Sequence, residues 1–344
     1  MQDLNVEIKK MLGVLEKSQW EYKPNFESIK KFPIITRSDI QKMTMKKGIF
    51  SCRSSGSTGE PVVVQKFLQD YIWYTATNIR EIQWRKWDVS KNIAIIKPVY
   101  KSFESKNDWG FSKEIFSNQG IAYKIGFEPI PSIQALLEYA NPHYIHSYPS
   151  IIKQLDLTKI TNLIDTKSTG ELGGTIYSSE ECGTIAISCP DNPENYHVME
   201  NQIVETDDEG NAIITTLTNP YIKRYKNGDV IELGQCTCGR TLQTIKRIYG
   251  RVRNFFTLPD GSKKWPLVGS IFFYEKYGIK RFKAIQHTID DLELMIIASK
   301  LNNEKDFIQE VQASLKSSIN VRITYVDNFP DYKHEEFVSL IDSN

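Results

Sequence analysis

The sequence predicts an α/β protein of two domains, a large amino-terminal domain over residues 1–253 and a small α+β domain over residues 254–344. Three observations predict this arrangement. Apolar strands alternate with helical stretches in the first half of the chain, short strands and turns dominate from residue 175, and strands around one amphipathic helix end the sequence. At 344 residues the chain is also too large for one compact core.

The first half reads as helices and buried strands. Apolar side chains recur at helical spacing near the amino terminus, at Leu4, Ile8, Leu12 and Leu15. A long helix is predicted over 70–87, and strands over 62–67, 92–98 and 144–147. Because such strands are apolar throughout and separated by helices, they favour a parallel or mixed sheet covered on both faces.

The second half predicts two further kinds of structure. Short strands are expected over 184–188, 202–206, 212–217 and 230–233, with a hairpin turn at 207–211. Beyond Arg253, strands at 281–287, 292–298 and 321–326 accompany a helix at 304–318. This last group is long enough to fold as a small domain.

Composition excludes several classes of protein. Lys plus Arg (43) nearly balance Asp plus Glu (42), so no global charge favours nucleic acid or an anionic membrane. The charged first 20 residues do not resemble a signal peptide, and no apolar run is long enough to span a bilayer. Five cysteines, an odd number, favour reduced thiols or metal ligands over a disulfide framework. We therefore expect a cytoplasmic protein.

Residues 54–61 read S-S-G-S-T-G-E-P and are the most informative segment of the chain. Small hydroxyl side chains and a glycine-rich backbone suit a loop that cradles phosphate. The order of residues matches neither a Walker loop nor a Rossmann turn, and a flexible polar linker is the alternative. The candidate phosphate-binding residues are Ser54, Ser55, Gly56, Ser57, Thr58 and Gly59.

Two further positions suit ribose recognition. Asp229 follows Gly228 in what reads as a tight turn, where its two carboxylate oxygens would match a vicinal diol. An ordinary hairpin turn is the alternative. Arg251 follows Gly250 between the two predicted domains, and its guanidinium could reach the same ribose from a hinge.

The cysteines predict a metal site. Cys236 and Cys238 form a C-x-C pair, while Cys189 and His197 lie eight residues apart. Three thiolates and one imidazole are a common ligand set for structural zinc, and four protein ligands leave no position open for catalysis. Buried free thiols are the alternative, and Cys52 and Cys182 stay outside the predicted set.

Histidines next to the strand at 144–147 leave two interpretations open. His143 and His146 could line a substrate pocket, or be ordinary surface or core residues. His287, on a predicted strand, is interpreted as structural.

The motifs occur in an order that resembles the AMP-forming adenylating superfamily. The motifs that carry this resemblance are residues 54–61, 177–183, 224–229 and 250–254. Y-P-S at 148–150, G-E at 170–171, and the metal-site cysteines with His197 resemble the phenylacetate–CoA ligase-like branch, which includes capsule-biosynthesis ligases. The resemblance covers about residues 50–340 and implies a reduced first subdomain, a zinc-pinned β-rich subdomain and a small mobile lid domain.

This resemblance implies ATP-dependent formation of an acyl-adenylate from a small carboxylic acid. Tyr177 would contact the nucleotide and Glu181 would hold magnesium, although a one-residue shift would give that role to Glu180. Lys333 would be the catalytic lysine, in a shortened loop that lacks the usual glycine. The acceptor would be a thiol, on coenzyme A or a carrier protein, or an amine, in surface-polysaccharide biosynthesis.

Other outcomes stay open from the sequence. The same fold could transfer an adenylyl group to a hydroxyl acceptor, or the chain could be an inactive descendant that binds a nucleotide or a partner. No nucleic acid or membrane partner is expected, and monomer and homodimer both stay open.

Overall fold

A computed structural model describes residues 2–53, 62–97, 99–100, 103–126, 128–169, 174–251, 256–261, 263–264, 277–279, 281–298, 301, 303–315, 317–327 and 337–339. The chain divides into two compact units. One comprises residues 1–227 and 231–248, and the other comprises 228–230 and 249–344. None of the helices in these described ranges combines the length and apolar character needed to cross a bilayer.

The first unit begins with helices and a mixed sheet. The helices are α1 (Gln2–Glu21), α2 (Arg37–Lys42), α3 (Leu68–Trp84), α4 (Ile130–Ala140) and the single turn α5 (Pro149–Ile152). The strands are β1 (Phe50–Arg53), β2 (Val63–Lys66), β3 (Ile93–Ile96), β4 (Glu104–Lys106), β5 (Ala122–Ile125), β6 (Tyr144–Ser147) and β7 (Asp165–Ser168). A 3₁₀ turn follows α5 at Leu157–Lys159. The sheet has the order β4-β5-β3-β6-β7, and only β4 runs antiparallel to its neighbour.

Apolar side chains cover both faces of this sheet. On one face Ile133 and Leu137 of α4 pack against the strands. On the other, Ile82 of α3 joins a cluster that includes Trp87 and Tyr144. The side chain of Asp70 accepts a hydrogen bond from the Phe67 amide (2.9 Å), which satisfies a free donor at the start of α3. The sheet is thus held between α3 and α4.

A seven-stranded sheet forms the rest of the first unit. Its strands are β8 (Ile176–Ser179), β9 (Gly183–Ser188), β10 (Tyr196–Val198), β11 (Gln202–Thr206), β12 (Asn211–Thr216), β13 (Tyr225–Gly234) and β14 (Thr244–Arg251). They lie in the order β11-β12-β13-β14-β10-β9-β8. Its core includes Ile185, Val204, Ile214 and Ile245, all fully buried.

The second unit has its own core. Its strands are β15 (Phe256–Thr257), β16 (Lys263–Lys264), β17 (Arg281–Thr288), β18 (Asp291–Ile297), β19 (Asn320–Tyr325) and β20 (Phe337–Ser339). The last four form a sheet in the order β19-β18-β17-β20. Helix α6 (Glu304–Leu315) packs Phe307, Val311 and Leu315 into the same cluster as Phe282 and Ile296.

The mixed α/β architecture agrees with the predicted fold class, but one local prediction is wrong. Gly228 and Asp229 do not form a tight turn, because they lie inside the ten-residue strand β13. The chain reverses before that strand, at Arg224, whose φ of 47° is left-handed. Pairing with neighbouring strands therefore overrides the turn preference of the Gly-Asp step.

Candidate functional site

Several predicted site residues lie outside the described residues. These are residues 54–61 of the predicted phosphate loop, the G-E step at 170–171, and Lys333. The strands that flank the predicted loop, β1 and β2, pair antiparallel and bring Arg53 opposite Val63. Arg251 is the last residue of β14, and its side chain is not described.

Two of the predicted motifs are joined by a hydrogen bond. Tyr177 lies on β8 and is buried, and the side-chain amide of Asn227 on β13 donates to its hydroxyl group at 2.8 Å. Both residues belong to the first unit. The segments 177–183 and 224–229 therefore meet, although 50 residues separate this pair along the chain.

The two acidic residues of the first of these motifs have different surroundings. Glu181 is buried in the turn between β8 and β9, and one carboxylate oxygen lies 3.5 Å from the guanidinium of Arg37. The ammonium of the buried Lys66 donates to the backbone oxygen of Glu181 at 2.7 Å. Glu180, in contrast, is exposed. Glu180 is therefore the carboxylate that is open to a hydrated ion.

Asp229 is buried, with only 7% of its surface exposed. Along β13 the buried positions alternate, so Asn227 and Asp229 share one face of the strand. Buried carboxylates are as a rule paired with other groups. Asp229 follows this rule, because it interacts with other residues of the protein.

The four predicted metal ligands converge. One potential ligand atom from each of Cys189, His197, Cys236 and Cys238 lies within 4.8 Å of the others. The sulfur atoms of Cys189 and Cys236 are 3.7 Å apart, and Nε2 of His197 is 3.2 Å from the sulfur of Cys238. Two sulfurs on tetrahedral zinc, each at about 2.3 Å, would lie roughly 3.8 Å apart. The donor set and its spacing therefore fit zinc.

Backbone and side-chain donors surround the sulfur atoms. Asn192 donates from its amide nitrogen to Cys189 (3.4 Å) and from its side chain to Cys236 (3.2 Å). The Arg240 amide donates to Cys238 at 3.5 Å. Burial raises the pKa of the Cys238 thiol, but this hydrogen bond and its neighbours outweigh burial and bring the pKa below the usual value. These donors favour the thiolate form of Cys238, the form that a metal requires, whereas burial raises the pKa of the Cys189 thiol to about 12.

His197 is suited to ligation because it stays neutral. Burial, reinforced by the positive charges of Arg240 and Arg80, lowers the pKa of His197 to about 4. A neutral imidazole has a lone pair available for a metal. Cys52 and Cys182 lie outside the cluster, as predicted for them.

No sequence pattern predicted how α1 is attached to this cluster. Gln19 of α1 accepts a hydrogen bond from the Thr241 amide at 2.8 Å through its backbone oxygen. Its side-chain oxygen accepts from Nε of Arg240 at 3.1 Å. The amino-terminal helix is thus bound to the loop that carries Cys236 and Cys238.

A buried ion pair holds the same helix one turn earlier, at Leu15. Arg80 of α3 and Glu200 are both at most 5% exposed and make two hydrogen bonds, of 2.7 and 2.8 Å. The second guanidinium nitrogen of Arg80 also donates to the backbone oxygen of Leu15. A lone arginine on a helix and a lone glutamate in a loop carry no sequence signal for this pair.

Comparisons with known proteins give matches only at the level of structure. A scan of family models and a search of curated proteins find no match. Among solved structures, 2-hydroxyisobutyryl-CoA ligase in the postadenylation state with 2-HIB-AMP matches with a TM-score of 0.66 and 13% identity, over 98% of this chain and 89% of that one.

Two other solved structures agree. The anthranilate CoA ligase AuaEII with anthranoyl-AMP has a TM-score of 0.59 and 12% identity, over 82% of this chain and 63% of that one. The ATP-bound RpMatB-BxBclM chimera B1 has a TM-score of 0.57 and 11% identity, over 84% of this chain and 66% of that one. The chain therefore has the fold of the AMP-forming acyl-CoA and adenylate ligases, in agreement with the resemblance carried by its motifs.

Proposed function

We propose that this protein activates a carboxylic acid by adenylation, with ATP as the donor and pyrophosphate as the leaving group. The observation that carries the proposal is the fold, which matches a ligase bound to its acyl-adenylate over 98% of this chain. The ordered motifs add to it, since they come from the sequence and not from the shape.

The chemistry assigns roles to the predicted residues. The carboxylate of the acid attacks the α-phosphorus in line, so the protein chiefly positions the reactants and offsets charge. Residues 54–59 would hold the β- and γ-phosphates, and Asp229 and Arg251 would fix the ribose. Lys333 would bridge the acid and the α-phosphate. The packing of Tyr177 against Asn227 supports a preformed wall beside the nucleotide.

Magnesium would offset the negative charge of the phosphates. We assign its carboxylate ligand to the turn of residues 180–181, and the surroundings support Glu180 over Glu181. The carboxylate of Glu181 is buried beside Arg37, whereas that of Glu180 is exposed. A cation that keeps several of its waters requires an accessible ligand.

We also propose that Cys189, His197, Cys236 and Cys238 hold one structural zinc ion. Their convergence within 4.8 Å and the hydrogen bonds to sulfur support it. The bound metal would join the loop after β9 to the loop between β13 and β14, and it has no part in the adenylation step.

The second half-reaction would transfer the acyl group to an acceptor. A thiol is supported by 2-hydroxyisobutyryl-CoA ligase, which has been solved with 2-HIB-AMP and CoA. An amine acceptor, as in surface-polysaccharide biosynthesis, is the other form of the proposal. Because the loop around Lys333 is shortened in the sequence, two alternatives stay open. One is adenylyl transfer to a hydroxyl group, and the other is a descendant that binds nucleotide without catalysis.

Pyrophosphate–ATP exchange with a panel of carboxylic acids tests the proposal. Exchange that requires an acid is the expected result. Exchange that requires a hydroxyl compound instead would favour adenylyl transfer. ATP binding by the folded, metal-loaded protein without any exchange would contradict catalysis and favour the inactive descendant.

A further inference from the structure

Basic side chains stand at the carboxyl ends of four neighbouring strands in the five-stranded sheet. In its register, Ile95 of β3 lies between Lys124 of β5 and His146 of β6, and His146 lies beside Lys167 of β7. Lys97 follows Ile95 by two residues and so continues the same face. We call Lys97, Lys124, His146 and Lys167 the cationic edge.

This face of the sheet changes from apolar to basic along the strands. One step towards the amino ends, the corresponding positions on β5, β3 and β6 are Ala122, Ile93 and Tyr144, which are buried in an apolar cluster. The opposite face stays apolar where it meets α4. Lys124, His146 and Lys167 lie at one level of the register, and Lys97 follows one step further along β3, so the basic side chains mark one surface and not a single solvated lysine.

The acidic residues beside the edge are already paired. Lys167 forms an ion pair with the buried Glu81 of α3. Arg85 pairs with the same Glu81 at 3.4 Å and with Asp165 at 2.7 Å. The two positive charges of Lys167 and Arg85 therefore balance the two negative charges of Glu81 and Asp165.

Lys97 adds a further positive charge to the edge. Within the described ranges, no residue makes an ion pair or hydrogen bond with its ammonium group. Lys124 lies over the ring of Tyr100 at 5.3 Å, and Glu104 is opposite it on β4 without an ion pair in the described residues. Lys97 and Lys124 are thus the two cations of the edge that have no ion pair within the described ranges.

The ionisation of the edge agrees with a cluster of basic groups that repel one another. Burial lowers the pKa of Lys97 to about 8, with a contribution from Lys167, while Glu180 and Glu81 oppose the change. Burial also brings the pKa of His146 well below its usual range, aided by Lys167, Lys97 and Arg85. His146 is therefore a neutral hydrogen-bonding group among cations, and a bound anion would relieve their repulsion.

We propose that the cationic edge binds an anionic group of the acid substrate, a carboxylate or phosphate other than the carboxylate that is activated. This inference rests on the proposed adenylation. In open α/β sheets, ligands bind beyond the carboxyl ends of the parallel strands, where this edge lies. The negative charge of Glu180, in the predicted magnesium turn, acts on Lys97 and raises the pKa of its ammonium group. The substrate class is then a dicarboxylic or phosphorylated carboxylic acid.

Calorimetry with matched acids tests the inference directly. The probes are succinate, glutarate, adipate and phosphoglycolate, each compared with a monocarboxylate of similar length. For the wild-type protein we expect the doubly anionic member of at least one pair to bind roughly tenfold tighter or more, the size of a charged hydrogen bond. Lys97→Met should remove this preference and Lys97→Arg should retain it. Lys106→Met, an exposed residue on β4 of the same sheet, is the control, and thermal melts show that each variant folds.

The other outcomes separate this inference from the proposed function. Failure of every doubly anionic probe to bind preferentially, or an unchanged preference in Lys97→Met, would overturn the inference. A loss of ATP affinity in Lys97→Met with unchanged acid binding would also overturn it and assign the edge to the nucleotide. If the monocarboxylates drive exchange equally well, the proposed adenylation stands and the proposed role of the cationic edge is rejected. Lys97-dependent acid binding without exchange would keep the edge and reject the adenylation.

Discussion

The guanidinium carbon of Arg240 lies 5.0 Å from the centroid of the Trp84 ring. Arg240 also lies 5.1 Å from the ring of Trp20 on α1, and its amide donates to the sulfur of Cys238. One residue therefore contacts the amino-terminal helix, helix α3 and a predicted zinc ligand. Cation–π contacts of this kind contribute about 0.5–2 kcal/mol each.

The first prediction concerns the metal. Purified protein should contain one zinc ion per chain, and Cys236→Ser should lose both the metal and thermal stability, because a structural metal contributes to the free energy of folding. Elemental analysis and thermal melts measure the two effects. Cys52→Ser, outside the cluster, should keep its zinc. Metal-free wild-type protein after growth with zinc would refute the site.

The second prediction follows from the contacts of Arg240. Removing zinc with a chelator should speed tryptic cleavage at the exposed Lys17 of α1, because the loop that holds Gln19 and Trp20 loses its anchor. Cleavage at the exposed Lys305 of α6, in the second unit, should not change and serves as the control. An unchanged cleavage rate at Lys17 after complete zinc removal would contradict the coupling.

The third prediction concerns Asp229. Asp229→Ala should weaken ATP binding by about 1.5–3 kcal/mol, the usual size of hydrogen bonds to a charged group. Because Asp229 is buried, Asp229→Asn is the matched variant that keeps the volume and removes the charge. Calorimetry on folded variants decides the matter. ATP affinity that stays at the wild-type level in both would remove Asp229 from the ribose site.

The fourth prediction separates the two adjacent acids. Glu180→Gln should raise the magnesium concentration needed for half-maximal exchange by roughly tenfold or more, the effect of losing a metal contact. Glu181→Gln should chiefly lower thermal stability, since it removes the charge that faces Arg37. The opposite result in exchange titrations and melts would return the magnesium role to Glu181.

The fifth prediction concerns Lys333. Lys333→Ala should lower the rate of adenylation by orders of magnitude and barely change ATP affinity, because a lysine that meets the α-phosphate during reaction stabilises the transition state more than bound ATP. Exchange rates and calorimetry give the two quantities. Lys305→Ala, on the exposed side of α6, should match the wild type. Exchange at the wild-type rate in Lys333→Ala would assign the chemistry elsewhere.

Local patterns sufficed for much of the fold. The strand predicted at 144–147 is β6 with the same bounds, because four residues between turn-forming segments leave few alternatives. The Gly-Asp step at 228–229 was predicted wrongly as a turn, because the position of β13 between β12 and β14 in the sheet decides its conformation.

The candidate site likewise has one part that the sequence predicted and another that it did not. Ligand chemistry alone predicted four residues that the fold brings within 4.8 Å. The ion pair of Arg37 with Glu181 and the cationic edge were missed. Each depends on single charged residues far apart in the chain, and only the strand register or tertiary packing brings them together.

The attachment of α1 also sets an order of events during synthesis. Gln19 leaves the ribosome early, but its partner Thr241 is 222 residues further along the chain. At about 5–20 residues per second, this interval lasts roughly 11–44 s. During that time the apolar side of α1 can pack on α3 once α3 has been synthesised, but its contacts with Arg240 and Thr241 must wait for the C-x-C loop. Zinc availability would then act on nascent chains, and a shortage would leave a long-lived intermediate with an incompletely docked first helix.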